Sequence, residues 1–207
     1  MKAVMLLLLV AAAGCARPSN SGAGPNDDTQ PVVATPEVAL ACRTQEGSQA
    51  VDERRSPFDS THVDVGGRHA VVCYGRPSAR GRVVFGELVP YDRLWRTGAN
   101  EPTILHLPFA AEVAGIRLDP GSYSIYTVPG TEQWTIVLNA STTQWGHESR
   151  YTPEVEALEV GRATVPAQRL DEHVETFTIR SEPSAGGADL MLEWERVRVR
   201  IPIRAVA

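Results

Sequence analysis

Hydrophobic and polar residues alternate with a period of two through most of the chain after Pro102, and short turn sequences interrupt the alternation. The pattern predicts an all-β fold, namely an antiparallel β-sandwich of roughly 8–9 strands with one long irregular loop carrying a short helix. The hydrophobic positions change parity between Trp194 and Val197, which predicts a β-bulge or a bend there. The strands predicted in this part of the chain are 103–107, 113–118, 122–128, 133–139, 157–165, 172–181 and 188–203.

The long irregular loop corresponds to residues 74–103, where glycines and prolines follow one another too closely for a long helix or strand. We expect this loop to run along the surface and to place little of its length in the core. Within it, Pro90 and Gly98 bound a segment in which aromatic and aliphatic residues recur at helical spacing. One or two turns of helix, docked by Trp95, are therefore predicted between these two residues.

The first 14 residues contain one cation, an apolar run and then small residues before Cys15. This composition predicts a signal peptide over residues 1–14. The sequence around Cys15 resembles a bacterial lipobox, which implies lipidation of Cys15, and Ala16 implies an address at the outer membrane, facing the periplasm. Residues 15–37 are predicted to form the lipidated cysteine and a flexible tether, and residues 38–207 a single β-sandwich domain that meets the membrane only through the lipid.

One of the three cysteines is assigned to the lipid, so Cys42 and Cys73 remain as a pair for which an oxidising compartment favours a disulfide. A metal site is the alternative, because Gly66-Gly67 predicts a hairpin between strands 61–65 and 68–74. We favour the disulfide, since polar residues opposite an apolar face are usually only solvated. The residues that would share one face of the hairpin as zinc ligands are His62, Asp64, His69 and Cys73.

The long loop is rich in arginine, although the chain of 207 residues carries a net charge of −5. Guanidinium groups form paired hydrogen bonds with carboxylates and phosphates, so a cluster of them is a candidate anion site. The predicted ligand-binding set is Arg76, Arg80, Arg82, Trp95, Arg96, Asn100 and Glu101.

Two functions follow from this set. The first is a non-catalytic binding or scaffold module of the cell envelope that accepts a small anionic ligand or an envelope component. The alternative is a hydrolase-like envelope enzyme, with Glu101 as general acid or base and with Arg96 and Asn100 stabilising developing negative charge. A third interpretation gives the arginines only structural ion pairs and backbone hydrogen bonds. We favour the binding module because a general acid or base needs a paired partner, and the sequence does not give the placement of the nearby carboxylates, Glu87 and Asp92, relative to Glu101.

Motifs of several large enzyme classes are absent from the sequence. It contains no G-x-S-x-G, H-E-x-x-H or C-x-x-C motif, no P-loop and no dinucleotide-binding glycine pattern. We therefore expect no cofactor and no metal. The net charge of the chain is negative, so we expect it not to bind nucleic acid. The expected partner is a small anionic ligand or an envelope component.

The loop also forms an extended sequence signature. Residues 74–103 read Y-x-R-P-S-x-R-G-R-x-x-F-G-E-L-V-P-Y-x-x-x-W-R-T-G-A-N-E-x-T. Together with later segments, this signature resembles the bacterial family of the domain of unknown function 2911, over roughly residues 55–203. The resemblance implies a β-rich envelope domain and no particular reaction. The later segments are PGSYSIYTVPG at 120–130, WTIVLN at 134–139, QWG at 144–146 and LEWE at 192–195.

Overall fold

Residues 38–45 and 53–206 are the part of the chain that the computed structural model describes. The signal peptide, the lipidation of Cys15 and the tether, all predicted for residues 1–37, lie outside this part and stay predictions. The described residues belong to one compact unit, Pro36–Ala207.

Nine strands form among the described residues, and neighbouring strands are antiparallel throughout. Their order across the sheet is β1-β2-β3-β6-β7-β8-β9-β4-β5. The predicted all-β antiparallel fold is confirmed. The strands are β1 (Phe58–Val65), β2 (Arg68–Gly75), β3 (Thr103–Leu107), β4 (Ala111–Val113), β5 (Ile116–Leu118), β6 (Gly121–Val128), β7 (Gln133–Asn139), β8 (Glu159–Ser184) and β9 (Gly187–Ala205). Short helical pieces lie at Glu148–Arg150, a 3-10 turn, and at Pro153–Glu156, which is α1.

Strand β8 takes part in both layers of the sandwich. Its 26 residues pair first with β7 and then, over the second half, with β9. Register shifts between Arg169 and Val174 and between Val174 and Thr178 mark bulges that bend the strand. The second half of β8 faces β2, where the Tyr74 hydroxyl accepts a hydrogen bond from the Ile179 N–H at 3.0 Å. The sandwich is thus one continuous sheet that folds over one core.

Buried and half-buried residues alternate along β3, as a period of two requires, but residues 70–75 of β2 are all buried. The outer face of β2 is buried because the N-terminal segment, residues 38–45, lies over it. The Cys42–Cys73 disulfide attaches this segment, with a Cα–Cα distance of 5.6 Å. The predicted disulfide is confirmed.

The hairpin predicted at Gly66-Gly67 is also confirmed. Both glycines have left-handed backbone angles, with φ of 64° and 82°, as a two-residue turn between twisted strands requires. Of the possible zinc ligands on the outer face of the hairpin, His62, Asp64 and His69 are exposed, and Cys73 is in the disulfide. Among the described residues no group of three or more His, Cys, Asp and Glu is arranged to hold a metal ion.

Two predictions of strand boundaries are wrong. The strand predicted at 113–118 is the hairpin of β4 and β5, because Ala114 and Gly115 both take left-handed angles, with φ of 51° and 82°, and reverse the chain. The strands predicted at 157–165 and 172–181 are one strand, β8. The residues between the two predicted strands are mostly polar, and β8 contains bulges there. The alternation of hydrophobic and polar residues is therefore interrupted, although the strand is continuous.

The short helix predicted within residues 90–98 is wrong as well. Asp92 and Thr97 have left-handed backbone angles, with φ of 58° and 59°, which a right-handed helix does not tolerate. The backbone of Trp95 instead pairs with Thr127 as in a strand, through two N–H···O bonds of 2.7 and 2.9 Å. No helix in the described part of the chain has the length and apolar character needed to cross a membrane.

Candidate functional site

The loop between β2 and β3, residues 76–102, enters the core, which corrects the expectation of a surface loop. Phe85 and Trp95 are each only 6 % exposed. Trp95 stacks on Trp194 with ring centroids 5.8 Å apart, and Phe85 meets Trp134 edge-on at 5.0 Å. Aromatic pairs of this kind contribute about 0.5–1.5 kcal/mol beyond the burial of their area. Glycine and proline prevent regular structure in this loop, but they do not prevent the side chains between them from being buried.

The backbone of the loop adopts unfavourable conformations. Left-handed φ angles are found at Arg80, Asp92, Thr97 and Asn100. The most unfavourable is Thr97, because a β-branched side chain fits this region badly. Thr97 is buried, donates to the Thr127 hydroxyl at 3.1 Å and accepts from the Thr103 hydroxyl at 2.6 Å. Strain of about 1–3 kcal/mol per residue persists only where the surroundings fix the backbone, and it is concentrated at functional sites.

The β-bulge or bend predicted between Trp194 and Val197 is confirmed as a break in register at Glu195, and it fixes the first half of the loop. Glu195 has φ of 50° and pairs with Val174, and the extra residues of the register shifts lie in β8. The Glu195 carboxylate accepts the N–H of Val84 at 2.9 Å and the N–H of Phe85 at 3.3 Å. Buried N–H groups in an irregular segment need such a partner, because no neighbouring strand supplies one. Strand β9 therefore positions the loop through one side chain.

Arg76, at the beginning of the loop, joins β1 to β8. Its NH1 lies 3.0 Å from Asp59 Oδ2, its Nε donates to the Phe177 carbonyl at 3.3 Å, and its NH2 donates to the Thr178 hydroxyl at 3.0 Å. All three guanidinium nitrogens thus have a protein partner. The geometry gives Arg76 a structural position at the junction of two strands.

Arg80 and Arg82 turn back towards nearby backbone. Arg80 donates to the Arg55 carbonyl, and Arg82 donates to the carbonyls of Ala79 at 2.8 Å and Ser78 at 2.9 Å. Both side chains are exposed. Their hydrogen bonds stabilise the turn at the start of the loop, and Arg82 also borders the cavity described below.

Glu101, at the end of the loop, is buried and bound to Arg54. Arg54 NH1 donates to Oε2 at 2.7 Å and NH2 donates to Oε1 at 2.9 Å, with side chains 3 % and 2 % exposed. The backbone N–H of Gln45 donates to Oε1 at 3.1 Å, and the neighbouring Asn100 donates to the Ser56 carbonyl at 3.2 Å. A two-fold hydrogen-bonded, desolvated pair of this kind is costly to break. Glu101 is therefore the counter-ion of Arg54.

Trp95 and Arg96 border a cavity of about 400 Å³, which we call the arginine cavity. Three arginines and one carboxylate line it, which is a formal excess of two positive charges. Of the predicted ligand-binding set, this cavity brings Arg82, Trp95 and Arg96 together, whereas Arg76, Arg80, Asn100 and Glu101 are not among its lining residues. The charged lining residues are Arg82, Arg93, Arg96 and Glu148. Its apolar wall includes Pro77, Leu88, Val89, Leu94, Trp95 and Trp194.

Arg96 is the least exposed arginine of the cavity, and its charge is incompletely paired. Its backbone N–H donates to Glu148 Oε1 at 3.1 Å, whereas its side-chain Nε lies 3.6 Å from the same oxygen. This Nε is buried and has no hydrogen-bond partner among the described residues. Buried polar atoms are almost always hydrogen-bonded, so Glu148 does not fully satisfy the Arg96 side chain.

Arg93 is exposed at the edge of the arginine cavity. No hydrogen bond or ion pair joins its guanidinium to another residue in the described part of the chain. The burial of the neighbouring Trp95 holds this end of the loop in place, so the Arg93 side chain projects from a fixed backbone. Arg93 therefore offers a complete set of donors to a ligand.

A larger cavity of about 600 Å³ also borders the loop, at Phe85 and Tyr91. Two glutamates, Glu132 and Glu195, line it together with two arginines, so its arginine charge is balanced by carboxylates. Although this cavity is larger than the arginine cavity, it has no excess of arginine over glutamate. On this ground the arginine cavity is the candidate anion site.

Sequence reasoning did not include Arg93 or Glu148 in the site, nor Arg54 as the partner of Glu101. Arg93 lies in the same loop as the other arginines, and no local pattern separates an arginine with a backbone partner from one without. Glu148 is far away in the sequence, in a polar stretch that carries no signal of its own. Only the folded positions of these side chains identify them.

A family model described as "Protein of unknown function (DUF2911)" matches residues 56–203. The match includes every residue that lines the arginine cavity. No curated protein and no solved structure matches the chain. Because the family model spans well over half of the sequence, the chain belongs to the DUF2911 family.

Proposed function

We propose that this protein is a binding module of the bacterial cell envelope whose arginine cavity accepts a small anionic ligand. The observation that carries the proposal is the imbalance of charge in the cavity, where Arg82, Arg93 and Arg96 face a single carboxylate, Glu148. A partly buried cation without a full set of partners is unfavourable, and an anion between guanidinium groups supplies both the charge and the acceptors. A carboxylate or a phosphate fits this chemistry.

The rigidity of the loop supports the same proposal. Trp95 is buried in the core and its backbone pairs with Thr127, directly before Arg96. Thr97, directly after it, holds a strained conformation that its buried hydrogen bonds maintain. A site whose backbone is already fixed loses less conformational entropy when the ligand binds. The loop therefore has the properties of a preformed site.

The test is calorimetric titration of the purified full chain with inorganic phosphate and with acetate at low salt. We expect dissociation constants of about 1 mM or lower for at least one of these anions. Arg93→Gln and Arg96→Gln should each weaken binding about tenfold or more, because a hydrogen bond to a charged group contributes roughly 1.5–3 kcal/mol.

The matched control is Arg117→Gln, which removes an exposed arginine of β5 that does not line the arginine cavity. This variant should bind as the unaltered protein does, and all three variants should keep its unfolding temperature. Binding that survives both cavity substitutions, or no binding of either anion, would contradict the proposal.

We further propose that the protein is lipid-anchored through Cys15 in the outer membrane and faces the periplasm. The composition of residues 1–14 and the lipobox-like sequence at Cys15 support this proposal. The Cys42–Cys73 disulfide agrees with an oxidising compartment. Mass spectrometry of the mature N-terminus should find an acylated Cys15, and an unmodified peptide that begins elsewhere would contradict the anchor.

A further inference from the structure

We infer that the ligand of the arginine cavity is an amphipathic organic anion, with a carboxylate or phosphate at one end and an apolar chain at the other. This inference rests on the proposed function and specifies its ligand. It comes from the lining of the cavity, which combines three arginines with a wall of apolar side chains. An inorganic anion would use only part of that wall.

The apolar wall begins at the edge of the cavity. Leu88 is 42 % exposed and Leu94 is half-buried. Trp95 and Trp194 also line the cavity but are only 6 % and 2 % exposed, so they add little area that a ligand could cover. Apolar surface in contact with water is unfavourable in proportion to its area, so a ligand that covers Leu88 and Leu94 gains free energy from their burial. The leucines therefore offer a contact surface to an apolar chain.

Charged and apolar residues are adjacent in this part of the loop. Leu94, Trp95 and Arg96 are consecutive in the chain and all three line the cavity, as does Arg93, which precedes Leu94. A ligand whose anionic group binds Arg93 and Arg96 has its remaining atoms beside Leu94.

The volume of the cavity agrees with a ligand larger than an inorganic anion. A water molecule occupies about 30 Å³ in the liquid, so an anion of five heavy atoms fills on the order of 100 Å³. The arginine cavity measures about 400 Å³. The remaining space is sufficient for a chain of several carbon atoms. Pockets for organic ligands typically combine apolar walls with a few well-placed polar groups.

The experiment is calorimetric titration of the full chain with two series of soluble anions. One series is inorganic, ethyl, butyl and hexyl phosphate, and the other is propanoate, pentanoate and heptanoate, with neutral hexanol as the control. A fully buried CH₂ group contributes about a fourfold gain in affinity. Because the cavity is open on one side, we expect hexyl phosphate to bind at least about tenfold more tightly than ethyl phosphate. The carboxylate series should show the same trend, and the tighter series identifies the head group.

Two serine variants locate the chain of the ligand. Leu94→Ser should remove most of the gain in affinity with chain length, measured relative to inorganic phosphate on the same variant. Leu158→Ser is the matched control, because Leu158 is 51 % exposed and does not line the arginine cavity. Unfolding temperatures show whether each variant is folded.

The outcomes separate this inference from the proposed function. Equal affinities of ethyl and hexyl phosphate would overturn the amphipathic ligand and leave the anion site in place. A gain with chain length that persists in Leu94→Ser would overturn it too, because the chain would then bind elsewhere. If no anion binds, or if hexanol binds as tightly as hexyl phosphate, the proposed function fails with it.

Discussion

Two arginine–glutamate pairs each have one member in the loop, and they differ in how completely their charges are satisfied. Arg54 and Glu101 form two hydrogen bonds of 2.7 and 2.9 Å, and both side chains are almost fully buried. Arg96 and Glu148 approach to 3.6 Å without a side-chain hydrogen bond, and both are partly exposed. The comparison teaches that completeness of pairing, and not the density of arginine, separates a structural charge from one that is available to a ligand.

The difference follows from what surrounds each carboxylate. Glu101 lies two residues before β3 and is covered by the N-terminal segment, whose Gln45 N–H donates to it. Glu148 lies in the 3-10 turn Glu148–Arg150, and its side chain is 30 % exposed. A desolvated ion needs a full set of partners, whereas a half-exposed one is partly satisfied by water. Loss of the carboxylate should therefore lower the stability of the protein at Glu101, whereas at Glu148 it should mainly strengthen anion binding.

The largest expected effect is on stability, at the buried pair. Glu101→Gln should lower the free energy of unfolding by roughly 3–5 kcal/mol, because it removes the buried carboxylate that accepts two hydrogen bonds from Arg54. Glu148→Gln should change that free energy by at most about 1 kcal/mol, the usual contribution of an exposed pair. Urea unfolding of both variants measures the difference.

A combined variant sharpens this test. Arg54→Met with Glu101→Leu should recover most of the stability lost in Glu101→Gln, since replacing both buried charges by apolar groups removes the uncompensated ion. A loss below about 1 kcal/mol in Glu101→Gln would show that Glu101 is not a structural counter-ion. The catalytic alternative for Glu101 would then regain support.

The intermediate effect is on binding, at the incompletely paired site. Glu148→Gln removes the single carboxylate of the arginine cavity, so phosphate should bind about threefold to tenfold more tightly at low salt. The gain should decrease as salt is added, because salt screens charges that are partly exposed. Calorimetric titration at two ionic strengths measures both changes. Weaker binding by a variant with an unchanged unfolding temperature would contradict the charge argument.

The smallest expected effect is on the pH dependence of stability, beneath the N-terminal segment. His106 lines a cavity there together with Arg43 and Glu101, and burial lowers the pKa of His106 below its ordinary value of 6.5. The unfolded chain therefore binds a proton more readily than the folded one. The stability contributed by neutral His106 is complete above about pH 6.5 and is lost as the pH falls from there through the folded pKa.

His106→Gln should flatten this acid-side decline, because the amide can keep the hydrogen bond to Ser122 but does not titrate. Urea unfolding between pH 8 and pH 5 measures the decline in the free energy of unfolding. The slopes of the two proteins should differ by at most about one bound proton. The exposed His62→Gln is the matched control and should leave the decline as it is. Parallel declines of the unaltered protein and His106→Gln would refute the assignment to His106.

The regular part of the fold could be predicted from the sequence, because each element is encoded by neighbouring residues. The bounds of β3 and β7 follow from alternation alone, and Gly66-Gly67 specifies its hairpin. The pairing of Cys42 with Cys73 follows from their number and compartment. In the strands and the hairpin, the residues that carry the sequence pattern are the residues that form the structure. For each of the two cysteines, only one partner is available.

The loop could not be predicted in the same way, because its conformation depends on distant residues. Trp95 occurs at helical spacing, but the backbone of Thr127 and the ring of Trp194 draw it into an extended, buried position. The partner of Glu101, Arg54, lies on the far side of two strands in the sequence. The cluster of arginines therefore indicated the right region, and only the folded contacts separated Arg76 from Arg96.

The aromatic contacts of the loop also determine when the binding site can exist. Trp95 packs against Phe177 and Trp194, which belong to β8 and β9, the last two strands in the chain. A ribosome adds about 5–20 residues per second, so the loop emerges several seconds before these partners. During that interval the core that buries the rings of the loop is incomplete, so the loop cannot reach its final position. A chain that must leave the cytoplasm through a narrow channel, as the proposed signal peptide requires, has to be unfolded at that time.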